Sequence, residues 1–288
     1  MDNNKDGGAK LSLRSISSLF CDTWKLYKER WTVLVEIVLL PTLVTMLGYI
    51  LASLGSPFSI VGGLLIFIGW IIFMFSVLPV IFSIHNTTGV DASYKATIGW
   101  FWPFVWLTIL EVLAVLGGSI MFIIPGIWLA FALSLMAYIF VIEHRRGIDA
   151  LRQSKDYIQG YWWAVAGRVL LLCLLFLVAT LVVEFPIALI AGKVAGNIVS
   201  MVLVLFFIPF SSIYHYVIFG NLRELKPDLV GANIKKGEGF IKASAIVGVV
   251  VPVLIILLLA IIIGTGMFRV LGRAEHYVSP PGYGMQSP

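Results

Sequence analysis

The chain has 288 residues, 60% of them hydrophobic and 12% charged, with a mean hydropathy of +1.00 and a formal net charge of +5. A soluble domain carries about 25% charged residues, so this chain lacks the polar surface to cover itself in water and calls for lipid as solvent. The basic residues are scattered between apolar segments rather than gathered in a patch, which argues against a nucleic-acid partner.

The first fifteen residues, MDNNKDGGAKLSLRS, are polar. The first apolar run begins only near Trp31, too late and too long for a cleavable signal peptide. Residues 1–12 read as a disordered tail. A helical wheel over the next segment puts Ile16, Leu19, Phe20, Trp24, Leu26, Tyr27 and Trp31 on one side and Ser17, Ser18, Lys25, Lys28 and Glu29 on the other. This predicts an amphipathic helix on the membrane surface before the first span.

A spanning helix needs about 20 mostly apolar residues. Seven segments qualify, at 32–54, 60–84, 101–123, 126–142, 162–186, 197–219 and 243–264. The stretch DASYKATIGWF, Asp91 to Phe101, between the second and third spans reads as a second short interfacial helix. Pro125 and Gly126 suit a tight turn between the third and fourth spans. Between the fourth and fifth lies IEHRRGIDALRQSKDYIQGYWW, Ile142 to Trp163. Here Ala150, Leu151, Tyr157, Ile158, Tyr161 and Trp162 share one helical face, with Asp149, Arg152, Gln153, Asp156 and Gln159 opposite. The pattern predicts a third helix, about 148–161, lying in the headgroup plane. Its expected interfacial anchors are Tyr157, Tyr161, Trp162 and Trp163, matching Trp24 and Trp31 at the first helix. Residues 223–242 read as a linker to the seventh span. Residues 265–288, ending in YVSPPGYGMQSP, read as a largely disordered tail.

Sixteen Lys and Arg fall on the side of the N-terminus and the long connections, against Lys193, Arg269 and Arg273 on the other. The positive-inside rule then places the N-terminus in the cytoplasm and the C-terminus outside a plasma membrane. The unit of interfacial helix, span, short turn and span occurs three times. The first and third units match at an offset of 130, pairing Lys25 with Lys155, Tyr27 with Tyr157, Pro79 with Pro209 and His85 with His215. This suggests a parallel internal repeat, although the shared constraints of helical hairpins give the same pattern.

Charges inside spans are costly and mark candidate sites. Glu36, Glu111 and Glu184 fall in the first, third and fifth spans, and Arg168 lies in the fifth. They either line a polar path for a proton, cation or cationic solute, or pair locally, Glu36 with Arg168 being the expected pair. His85, His144 and His215 end spans without ligand spacing around them, and Cys21 and Cys173 show no metal or disulfide pattern. No Walker loop, GxGxxG, HExxH or GxSxG occurs. The reading therefore calls for no catalytic residue, no metal and no cofactor.

IIPGIWLAFALSLMAYIFVIE followed by ALxxSxxYxxGxWW, with Ala150, Leu151, Ser154, Tyr157, Gly160, Trp162 and Trp163, resembles the membrane domain attached to some bacterial glycerophosphodiester phosphodiesterases. It is also similar to related stand-alone multi-pass membrane proteins. The resemblance covers roughly residues 13–222 and implies a bacterial origin and a six-span domain. The hydrolase of that family is a separate barrel of about 250 residues, for which there is no room here, so no catalytic residue carries over. The expectation is an all-α polytopic membrane bundle of three helical hairpins, with interfacial amphipathic helices and a seventh transmembrane helix. Its expected role is a non-enzymatic scaffold or partner in envelope or lipid processes, meeting the bilayer and either another membrane protein or a second copy of itself. The alternative is a small-solute or ion transporter using the glutamates, and an enzyme acting on lipid headgroups ranks third.

Overall fold

A computed structural model describes residues 13–231 and 238–277, with side chains for 13–231 and 239–258. The chain is an all-α polytopic bundle, and among the described residues seven helical segments are long and apolar enough to cross a membrane. It is an integral membrane protein. Its helices are α1 (Ile16–Ser53), α2 (Phe58–Asn86), α3 (Val90–Thr97), α4 (Phe101–Met121), α5 (Ile123–Leu133), α6 (Met136–Ile142), α7 (Gly147–Ile158), α8 (Trp162–Ala191), α9 (Lys193–Leu225) and α10 (Glu238–Tyr277). The expected residues 1–12 and 278–288 of the two tails lie outside the described residues.

Three hairpins build the bundle. α1 packs along α2, α4 along α5, and α8 along α9, while α1 also packs on α9 and α10 on α4. One end of the bundle carries the basic connections α2–α3–α4, α6–α7–α8 and α9–α10. The other carries the short turns 54–57, Phe122 and Gly192. We call these the basic end and the turn end. Gly192 alone joins α8 to α9 at φ 86°, a left-handed conformation that glycine adopts without strain.

The buried core lies toward the basic end. Leu34, Ile37, Leu78, Ile81, Leu133, Ile139, Phe140, Leu151, Tyr157, Tyr214 and Phe219 are all sealed inside it. Toward the turn end α8 exposes Leu174, Leu177, Leu181, Val182, Phe185 and Ile190. In lipid such a face incurs no hydrophobic penalty, because acyl chains are as apolar as leucine.

Where helices touch near the turn end, glycine sets the distance. A Cβ on Gly62 would lie 2.4 Å from Ala52 N, on Gly126 2.0 Å from Ser119 Oγ, and on Gly196 2.6 Å from Ala188 Cβ. The closest approach joins α4 to α10, where a Cβ on Gly117 would lie 1.7 Å from Ser244 O and one on Gly248 2.1 Å from Leu113 O. Without a hydrophobic drive between helices in lipid, close backbone approach through small residues is what holds them together.

Several expectations need correction. The first amphipathic segment is no separate surface helix, because α1 runs unbroken from Ile16 through the span to Ser53. The turn between the third and fourth spans is Phe122 in extended conformation. Pro125 sits in the first turn of α5, where its missing N–H is no loss. Gly126 is a packing residue rather than a turn residue. The fourth span is not continuous but splits at Ser134–Leu135 into α5 and α6. The linker is shorter than expected, since α9 continues to Leu225. The helix of the seventh span begins at Glu238, and its backbone continues to Tyr277 into the segment read as tail.

Adding a methyl group at Gly117 forces it against a backbone oxygen of α10 that cannot rotate away. Gly117→Ala should therefore cost about 1–3 kcal/mol and lower the unfolding midpoint of the detergent-solubilised protein. Gly63→Ala, with open space around the new methyl, should leave that midpoint in place.

Candidate functional site

The polar chemistry of the described chain concentrates at the basic end, around α7. This helix carries polar and apolar residues at helical spacing, but it does not lie open on the surface of the bundle. It is enclosed by protein, packed against α4, α5, α6 and α9. Ala150, Leu151, Tyr157 and Ile158 are buried, and so are Arg152, Gln153 and Ser154 from or beside the face read as polar. The surface-lying helix is thereby corrected. The polar side chains are buried because they have backbone and charged partners inside the bundle.

Ser154 is the clearest case. At the break between α5 and α6 the helical ladder is interrupted, which inside a membrane is tolerated only where protein supplies new partners. Ser154 Oγ accepts from Leu135 N at 3.2 Å and donates to Ala132 O at 2.8 Å, all within a buried environment. One hydroxyl thus serves a donor and an acceptor that belong to two different interrupted helical bonds. Nearby, Trp162 Nε1 donates to Trp128 O at 3.1 Å, fixing the start of α8 against α5.

The second feature is Glu143, which ends α6 and is 4% exposed. Its carboxylate accepts from Tyr157 Oη at 2.7 Å and from the Gln153 amide, and Arg223 Nε of α9 lies 3.6 Å away. The same Gln153 amide donates to Leu229 O at 3.0 Å in the 3-10 turn after α9. Lys226 closes the C-terminal end of α7 by donating to Asp156 O at 2.6 Å and Gln159 O at 2.5 Å. A cation there also meets the negative end of the helix dipole. Burial, and then the neighbouring Glu143 carboxylate, push the Tyr157 phenol well above its ordinary range. This node ties α6, α7, α9 and the start of the linker together. It contains a carboxylate and an arginine, but every group in it is engaged in holding a helix.

Side chains reach backbone carbonyls of neighbouring helices elsewhere too, once at a proline. Pro41 has no N–H to offer Ile37 O, and Tyr94 Oη of α3 donates to that carbonyl at 2.9 Å. Arg30 of α1 donates to Ser83 O and Thr88 O at 3.0 and 2.7 Å, clamping the end of α2. Tyr138 Oη donates to Ser212 O at 2.8 Å.

The four charged residues expected within the membrane are not brought together. Glu36 is exposed on α1, Glu111 half-buried on α4, and Glu184 half-buried on α8. The expected Glu36–Arg168 pair does not form. Arg168 donates instead to Ala164 O at 2.8 Å and to Arg14 O at 2.6 Å, joining α8 to the start of α1. A guanidinium prefers these fixed carbonyls because they lie on its own helix and on a neighbour already in place. Among the anchors, Trp24, Trp31 and Trp163 are exposed, Trp163 at 83%. Tyr161 and Trp162 are half-buried. Tyr157 is no interfacial anchor at all, being fully buried on Glu143.

Two hollows stand out. One, of about 340 Å³, lies between α1, α2 and α9 toward the turn end, with Thr45, Tyr49, Trp70, Asn197 and Ser200 on its wall. The other, of about 470 Å³, is a charged surface cleft at the basic end bounded by Arg14, Asp22, Lys25, Glu29 and Glu224. Neither is lined by Glu36, Glu111, Arg168 or Glu184. Among the described residues no group of three His, Cys, Asp or Glu side chains has the geometry to hold a metal ion. Comparison with family models, curated proteins and solved structures returned no match, so the resemblance set out above rests on its motifs alone.

Two measurements follow from this geometry. Ser154→Ala should strand Ala132 O and Leu135 N in a buried site, lowering stability by about 1–3 kcal/mol. Limited proteolysis should then cut first between residues 133 and 148. The Tyr157 phenol, raised in the folded state, contributes stability that is fully present below the ordinary phenol range near pH ~10. That contribution is lost as pH climbs above it, so Tyr157→Phe should flatten the alkaline fall in stability relative to the parent.

Proposed function

We propose that this protein is a non-enzymatic membrane scaffold, closed at its basic end and open to lipid or a neighbouring span at its turn end. The reading rests on one observation: the charged and hydrogen-bonding side chains buried at the basic end are engaged in fastening helices. Glu143, Gln153, Ser154 and Arg168 each bond a neighbouring helix or close a broken one. None is left facing a cavity as an acid, base or nucleophile would be. Transport along the intramembrane glutamates draws no support from their placement, since α1, α4 and α8 belong to three different hairpins. The motif resemblance to the membrane domain of glycerophosphodiester phosphodiesterases favours a bacterial plasma membrane and a link to lipid or envelope processes. The distribution of Lys and Arg favours a cytoplasmic basic end and an external C-terminus.

The function is tested in liposomes. Purified protein reconstituted with a pH-sensitive dye inside should leak protons and alkali cations no faster than empty liposomes, and Glu111→Gln should change nothing. A flux abolished by Glu111→Gln would establish the transporter instead. Orientation is tested in a background lacking Cys21 and Cys173. Leu54→Cys at the turn end should react with an impermeant maleimide added to intact cells, and Asp228→Cys at the basic end should not. The reverse pattern would invert the topology.

A further inference from the structure

The hollow between α1, α2 and α9 is graded along the membrane normal. Asn197 lies one turn inside the start of α9, and Tyr49 one turn before the end of α1, so both sit near the turn end. Deeper in, the wall becomes apolar with Phe73, Val204 and Ile208. From Asn197 to Ile208 the helix rises about 16 Å at 1.5 Å per residue. That is close to half of a hydrocarbon core about 30 Å thick, the depth of one leaflet.

The polar wall has no partner within the protein. The Tyr49 hydroxyl, the Asn197 amide and the Ser200 hydroxyl make no hydrogen bond among the described residues, whereas Thr42 and Thr45 beside them bond their own helix at Val38 O and Pro41 O. Unpartnered hydrogen-bonding groups at the edge of hydrocarbon are costly unless something polar meets them. One turn further out on the same stripe of α9, at the spacing 193, 197, 200, 204, 208, stands Lys193. It is exposed at the positive end of its helix dipole, where a cation is disfavoured unless an anion joins it.

We propose that this groove holds one phospholipid of the leaflet at the turn end, inserted tail first. Its acyl chain lies along Phe73, Val204 and Ile208. Its glycerol and ester oxygens meet Tyr49, Asn197 and Ser200, and its phosphate meets Lys193. A volume of about 340 Å³ is at the low end for small-molecule sites. Its wall, polar near the turn end and apolar deeper in, matches a molecule with a polar head and an acyl tail. The site is independent of the scaffold role and stands or falls separately.

Full-length protein in nanodiscs of phosphatidylglycerol, doped with the same lipid carrying a photoactivatable diazirine on its acyl chain, provides the probe. Adducts should concentrate on residues 41–49 and 200–208 and saturate at one lipid per chain. Val204→Trp should reduce them at least tenfold while leaving adducts on the exposed face of α8 unchanged. Should Val204→Trp fail to fold, the paired change Asn197→Leu and Ser200→Leu, at exposed or half-buried positions, should reduce them several-fold with an unaltered unfolding midpoint. Lys193→Glu should likewise shift capture toward an uncharged diacylglycerol probe. Adducts spread evenly around the bundle, or groove adducts indifferent to these variants, would overturn the proposal. Equal capture of diacylglycerol and phospholipid by the parent protein would overturn it as well.

Discussion

In hydrocarbon no water is present to take up a backbone N–H or C=O that loses its helical partner, and the architecture of this bundle depends on that constraint. The fourth span breaks at Ser134–Leu135, and the break survives because Ser154 reaches in from α7 to accept from Leu135 N and donate to Ala132 O. That requirement places α7 inside the bundle rather than on its surface. Once α7 is inside, its remaining polar residues must be satisfied too, and Glu143, Arg223 and the carbonyl of Leu229 are the partners that do so. The same side chains therefore determine where α6, α9 and the beginning of the linker lie.

The basic and turn ends are held by different physics. At the basic end hydrogen bonds and ion pairs are buried among aromatic side chains such as Phe140, Tyr214 and Phe219. There each contact is directional and specifies one arrangement. At the turn end the helices meet through glycines and otherwise face outward, so packing there is set by backbone approach and by lipid. A protein built this way has a fixed platform on one side of the membrane and an adaptable, lipid-filled region on the other. The graded groove between α1, α2 and α9 lies in the adaptable half.

The number of spans, the all-α class and the hairpin order were legible in the sequence because each depends on runs of apolar residues about 20 long. The break in the fourth span was not legible: FALSLMAYIF is apolar on both sides of the interruption, and the partner that sustains it is a serine nineteen residues away from Leu135. Helical periodicity located both faces of α7, but amphipathicity alone does not say whether a polar face meets water or buried partners. Glu143 went unmarked as a site because it abuts a span rather than lying within it. The glycine contacts did leave a local signal in small residues four apart, Gly48 with Ala52 and Ser244 with Gly248. Arg168 reads in the sequence as a charge that needs a partner, but carbonyls answer that need as well as a glutamate does.

The contact between α4 and α10 sets an order of events during biogenesis. Gly117 has entered the membrane well over a hundred residues before Ser244 and Gly248 are synthesised, an interval of about 6–25 s at 5–20 residues per second. Through that interval the flat face of α4 is covered by lipid alone. The backbone-to-backbone seam with α10 closes only after all three hairpins have been made. α10, made after the three hairpins, is thus the helix that completes the middle one, and its docking is a displacement of lipid as well as an insertion.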